Sequence, residues 1–219
     1  MTGTAALVFA LTAVVAVGDW MAVAARNRAV EYLLKPATTI GLGATAVLIN
    51  PVDDTVRVLF VLALVLSLVG DVALMLPARD KLFPVGLGAF LAAHLAYIWG
   101  LVLLAGVDGG LSGTWLVVGL VLALVGAATV GRRVLRAVRA ERGELVGPVA
   151  VYLGVILVMM VLAWGTHRFL AALGATLFVV SDAVLADNEF VRPRNGSHLV
   201  VMVTYHLAQA FLLLSIVAW

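Results

Sequence analysis

The side chains in this sequence that could do chemistry are few, and most of them interrupt long apolar runs. Asp71 lies within Leu66-Ser67-Leu68-Val69-Gly70-Asp71-Val72-Ala73-Leu74-Met75, and Asp182 within Leu177-Phe178-Val179-Val180-Ser181-Asp182-Ala183-Val184-Leu185. A charged carboxylate at mid-span costs ~2.5–3.5 kcal/mol on insertion scales, so an acidic residue inside such a run marks a functional site by default. Asp19 is placed in the same way, and Lys35 stands at the head of another apolar run. His94 and Tyr97 are three residues apart, and Tyr205 and Gln209 four apart, so each pair shares a helix face. Carboxyl groups, an amine, an imidazole and phenols together can hand protons to a substrate or pass them along a relay. Both remain open at this point: an enzyme using acid and base, and a proton-coupled transporter.

Other chemistries lack their residues. The chain has no cysteine, which removes disulfides, thiolate metal sites and cysteine nucleophiles. It has no Gly-x-Ser-x-Gly elbow, no phosphate-binding or dinucleotide fingerprint and no His-Glu-x-x-His. His198 and His206 are eight apart, a poor spacing for a shared metal. A metal-dependent lipid hydrolase built on Asp71, His94 and His198 stays as an alternative, but no metal and no cofactor are expected.

The elements that must position these residues follow from composition. Apolar residues make up 64% of the 219 and charged residues 12%, against about 45–50% and about 25% in soluble domains. Such a chain cannot cover a water-soluble surface. The expected fold is all-α: a polytopic membrane protein, a bundle of eight transmembrane helices forming a single integral membrane domain. The spans fall at approximately 4–25, 36–50, 56–77, 83–106, 113–131, 146–165, 169–187 and 198–218, separated by turns such as Asn50-Pro51 and Asp108-Gly109-Gly110. The apolar start reads as a first span rather than a removed signal peptide.

Basic residues set the orientation. Arg26, Arg28, Lys35, Arg79, Lys81, Arg132, Arg133, Arg136, Arg139, Arg142, Arg192 and Arg194 lie in odd-numbered connections, leaving only Arg57 and Arg168 in even ones. That alternation places the odd connections in the cytoplasm and both termini outside. The arginines are therefore topology signals, not a nucleic-acid surface. Residues 131–144 extend the fifth span as a basic helix against anionic headgroups. Asp71 and Asp182 fall roughly 8 Å from their cytoplasmic span ends at 1.5 Å per residue. Asp19, Lys35, Asp71, His94, Asp182 and Tyr205 all lie in the cytoplasmic half, which suggests one pocket open to the cytosol.

In their order and placement, several motifs resemble the YhhN-type lysoplasmalogenase family. They are Lys35-Pro36 opening the second span, Gly70-Asp71 in the third, and Phe90 with His94 and Tyr97 in the fourth. Ser181-Asp182-x-x-Leu185-Ala186 in the seventh and Tyr205-x-x-x-Gln209 in the eighth complete the set. The likeness covers nearly the whole chain and suggests a bacterial member in the inner or plasma membrane. It implies hydrolysis of the vinyl ether bond of lysoplasmenylethanolamine or lysoplasmenylcholine to a fatty aldehyde and the glycerophospho-base. It also implies Asp71 and Asp182 as the acid–base pair. Lys35, His94, Tyr97, Tyr205, Gln209 and Asp19 are then expected to bind the lysophospholipid. Surrounding membrane lipids are the other expected partner.

Overall fold

The computed structural model describes residues 1–76 and 79–218. It is all-helical: α1 (Gly3–Ala24), α2 (Arg28–Leu48), α3 (Asp54–Met75), α4 (Arg79–Val107), α5 (Gly113–Gly126), α6 (Arg132–Glu141), α7 (Val146–Gly165), α8 (Phe169–Ala186) and α9 (Ser197–Ser215). A π-helical turn at Ala127–Gly131 joins α5 to α6 as one rod, and a second at Asp187–Val191 prolongs α8. The described helices thus form eight rods. Seven are long and apolar enough to cross a membrane. The chain is a polytopic helical membrane bundle.

The remaining rod, α2, is 21 residues long, or about 32 Å at 1.5 Å per residue. Its hydropathy is diluted by Glu31, Lys35, Thr38, Thr39 and Thr45, which it turns inward and buries. The Thr2 hydroxyl donates to the Leu48 carbonyl at 3.1 Å, so α2 runs back along α1 to the level of its start.

Several helix starts follow local chemistry. Side-chain oxygens of Thr2, Asn27 and Asp53 accept from the backbone N–H three residues on, capping α1, α2 and α3. The Asn27 cap corrects the expected second span. The helix starts at Arg28 rather than 36, after Arg26 turns the chain at φ 56°. Lys35 therefore lies inside α2 and does not open it, and Pro36 sits in the helix interior rather than in its first turn. The expected end of the third span at 77 lies outside the described residues. The basic α6 ends at Glu141, and α7 occupies Val146–Gly165.

The two ends of the bundle differ in their ties. At one end Asn50–Val52 pairs with Ile216–Ala218 in a short backbone bridge, and Ser112 N–H reaches the Gly165 carbonyl. There too, Arg168 grips Asp108 at 2.6 and 2.9 Å and the Ser215 carbonyl at 2.8 Å. The guanidinium holds the Asp108 carboxyl below the usual carboxylate range. The clamp is present above that ordinary range and is lost as pH falls through the depressed value. At the opposite end Asp187 takes both Arg133 and Arg194 at 3.0 Å, tying α6, the α8 extension and the last connection together.

Small residues set the packing distances. On α1 the inward face reads Ala5, Thr12, Ala16, Asp19 and Val23, while Leu7, Leu11, Val14 and Met21 face out. A face this apolar and exposed fits lipid. Gly174 of α8 lies so close to α9 that a Cβ would sit 2.8 Å from Leu212 N and 2.9 Å from Ala208 O. Those are backbone atoms and cannot swing aside. Gly174→Ala is expected to destabilise by about 1–3 kcal/mol, the usual overpacking cost. Gly154→Ala, whose Cβ meets nothing within 4 Å, should be neutral or slightly stabilising. Thermal unfolding of the two variants in detergent checks this; equal midpoints would contradict the packing.

Candidate functional site

Asp71 is the centre of the buried polar network. It is 1% exposed, on α3, four residues from the end of that helix. Lys35 of α2 reaches one carboxylate oxygen at 2.9 Å. The Tyr205 hydroxyl of α9 donates to the other at 2.7 Å, joined by the Thr39 hydroxyl at 3.3 Å. Two helices, α2 and α9, thus deliver three donors to one carboxylate of a third. The arrangement needs Lys35 within the helix: Lys35 and Thr39, four apart, then stand on one face of α2.

Behind Tyr205 the network continues. Gln209 Nε2 donates to the Tyr205 oxygen at 3.3 Å, and Tyr97 donates to Gln209 Oε1. Because Tyr205 accepts from Gln209, its single proton is committed to Asp71. The pairs His94/Tyr97 and Tyr205/Gln209 behave differently: the second acts as a unit, the first divides. Tyr97 joins the Gln209 chain and packs edge-on to Phe60 at 5.0 Å. His94 instead lies edge-on to Phe178 at 4.7 Å and to Tyr152 at 5.3 Å. Its two ring nitrogens are buried with no hydrogen-bond partner among the described residues.

Asp182 of α8 accepts a hydrogen bond from the Tyr152 hydroxyl of α7. It is only partly buried and lies close enough to Asp71 for the two charges to interact. An aromatic group packs around Tyr205: Phe178 meets Tyr205 at 5.5 Å and Phe90 at 6.5 Å, and Phe90 meets Tyr205 at 5.9 Å. Gly70 admits Phe90, since a Cβ there would fall 2.6 Å from its ring.

Asp19 of α1 is 0% exposed, and both its carboxylate oxygens lack a partner among the described residues. It lies within electrostatic reach of Glu31, Lys35, His198 and Asp71. Glu31 is taken by His198 Nε2 at 2.6 Å. No three His, Asp or Glu side chains converge to hold a metal among the described residues. Of the trio considered for a metal, Asp71 and His198 each have other polar partners, and His94 lies among aromatic rings.

Of the eight expected residues, Lys35, Asp71, Tyr205, Gln209 and Tyr97 form a single hydrogen-bonded chain, while Asp182, His94 and Asp19 stand outside it. Tyr152 was missed, although it is the one hydroxyl-bearing side chain inside α7 and that is its signal. Glu31 was missed because α2 was started too late. Thr39 carried no signal, since threonines are ordinary in spans. The bond from Trp20 Nε1 to His206 Nδ1 at 3.1 Å joins α1 to α9 and was equally invisible.

Fold and network define a polytopic helical membrane protein with a buried ionisable network enclosed by its helices. The YhhN family model matches residues 30–216, and the chain belongs to that family. It is similar to lysoplasmalogenase TMEM86B of Homo sapiens, 38% identical over 153 residues, 70% of this chain and 61% of that protein. The corresponding proteins of Mus musculus and Sus scrofa are 38% and 35% identical over 156 and 161 residues, with the same shares of each chain. The chain thus spans about three fifths of the length of these curated relatives. No solved structure matches at a significant level.

Removing one partner of a buried ion pair strands the other and costs ~3–5 kcal/mol. Lys35→Met should lower the thermal midpoint sharply, and adding Asp71→Asn should recover much of the loss by removing the stranded charge. Unfolding of the single and double variants in one detergent measures it; a double variant no better than the single would refute the pairing as the source of the cost.

Proposed function

We propose that this protein is an intramembrane lysoplasmalogenase that hydrolyses the vinyl ether bond of lysoplasmenyl lipids with Asp71 and Asp182 as its working carboxyls. The observation that carries the reading is two carboxyl groups with unequal partners at one end of the bundle. Asp71 receives three donors, from Lys35, Tyr205 and Thr39. Asp182 has the Tyr152 hydroxyl and readier access to the surroundings. Family membership and the similarity to lysoplasmalogenases support the same reading.

In this mechanism protonated Asp182 gives its proton to the alkene carbon next to the ether carbon. The ether carbon becomes an oxocarbenium ion, stabilised by the fixed negative charge of Asp71. Water adds to that carbon and loses a proton to the Asp182 carboxylate, restoring the acid and leaving a hemiacetal. The hemiacetal carbon–oxygen bond to glycerol then breaks as its hydroxyl proton passes to the glycerol oxygen. A fatty aldehyde and the glycerophospho-base leave. The logic parallels glycoside hydrolysis, where two carboxyls flank an oxocarbenium-like state. Tyr152 orients Asp182, Gln209 and Tyr97 orient Tyr205, and the aromatic group around His94 and Phe178 offers an apolar bed for the alkenyl chain.

The basic end of the bundle, where Asp71 and Asp182 lie, faces the cytoplasm on the positive-inside rule, with both termini outside and the protein in a plasma or inner membrane. The absence of native cysteine gives a clean test. Leu111→Cys should react with a membrane-impermeant maleimide on intact cells, and Asn195→Cys only after permeabilisation. The reverse pattern would invert the topology.

Aldehyde release by purified protein from lysoplasmenylethanolamine tests the activity. Asp182→Asn and Asp71→Asn should each lower kcat by at least ~100-fold, the usual range for lost acid–base or electrostatic assistance. Full activity in either variant would remove that carboxyl from the mechanism.

A further inference from the structure

Asp19, Glu31 and Asp71 bring three carboxylates to the corner that holds Lys35 and His198, with Arg28 near Glu31. Lys35 is committed to Asp71 at 2.9 Å and His198 to Glu31 at 2.6 Å. Asp19 remains, 0% exposed, with neither oxygen hydrogen-bonded among the described residues. A carboxylate so placed demands a cation or a hydrogen-bond donor. Among the described residues no third ligand stands ready to complete a metal cage. Asp19 also lies outside residues 30–216, the part that the family model matches, so the family match says nothing of it.

We propose that Asp19 accepts the ammonium of a lysophospholipid headgroup and selects primary ammonium, as in ethanolamine, over quaternary ammonium, as in choline. This rests on the lysophospholipid reading above and names the headgroup within it. An ammonium with three N–H groups can satisfy both Asp19 oxygens at once. A trimethylammonium has no N–H, and would leave both oxygens without hydrogen bonds in a dry corner. Quaternary ammonium is recognised by aromatic faces instead. The aromatic groups nearest in the network are already engaged: Trp20 bonds and stacks on His206, and the Tyr205 ring carries Lys35 at 5.9 Å. Lys35 has three donors and spends one on Asp71. Its remaining N–H groups suit the phosphate, so a zwitterionic headgroup would meet both a cation and an anion here.

The test is equilibrium binding of lysophosphatidylethanolamine and lysophosphatidylcholine with the same acyl chain to the full-length protein in detergent. Neither lipid has a vinyl ether, so binding is read apart from turnover. Wild type should bind the ethanolamine lipid at least about tenfold more tightly, the scale of a charge-assisted hydrogen bond. Asp19→Asn should lose that preference, binding the two lipids within about twofold of each other, with an unchanged helical circular dichroism spectrum reporting an intact fold. If Asp19→Asn binds neither lipid, the same ratio is read in Asp19→Glu, which keeps the carboxylate and should keep the preference. Equal binding of both lipids by wild type, or a preference that survives in Asp19→Asn, would overturn the assignment. Failure of the activity reading is a separate result: no aldehyde from either lysoplasmenyl lipid, whatever the binding ratio.

Discussion

A carboxylate buried among helices in lipid must be met by donors from its neighbours, and Asp71 is where that demand is greatest. Lys35, Thr39 and Tyr205 come to it from α2 and α9, so the positions of three helices are tied to one side chain. The hydrophobic effect that sorts a soluble core is absent between helices in a bilayer, where packing and interhelical hydrogen bonds replace it. Small residues supply the close approach: Gly70 lets Phe90 lie against α3 beside Asp71, and Gly174 brings α8 onto α9. The polar contacts then fix which faces meet.

The same demand separates the two aspartates. Asp71 is locked by its donors and by the Gln209–Tyr205 chain behind it. Asp182 is held by Tyr152 and left partly open. Two carboxyls with such different surroundings can hold different protonation states, which is what acid chemistry on an apolar substrate requires. The fold alone would not argue for any reaction, because one bundle serves many activities. The argument comes from the unequal partners of the two carboxyls.

Stability and the proposed function draw on the same residues here. The clamp of Arg168 on Asp108 and Ser215, together with the short bridge beside it, ties the far end of the bundle without touching the site. The near end is held by Asp187 with its two arginines and by the Asp71 network itself. Mutations at the far end should therefore cost stability with little effect on chemistry, whereas those around Lys35 disturb both.

The residues themselves determined the class of fold. Runs of apolar side chains long enough to span a bilayer can only be helices there, and the alternation of arginines counted the connections. They also determined which groups are candidates, because Asp19, Asp71 and Asp182 are conspicuous against leucine and valine. Tertiary structure alone decided the pairings. Whether Lys35 meets Asp71 or Asp19 depends on how α2 rotates against α1 and α3, and no local pattern encodes that rotation. The start of α2 was misjudged for a related reason: Glu31 and Lys35 look like loop residues until neighbouring helices bury them. Tyr152, ordinary in its own span, acquired its meaning only when α7 was laid beside Asp182.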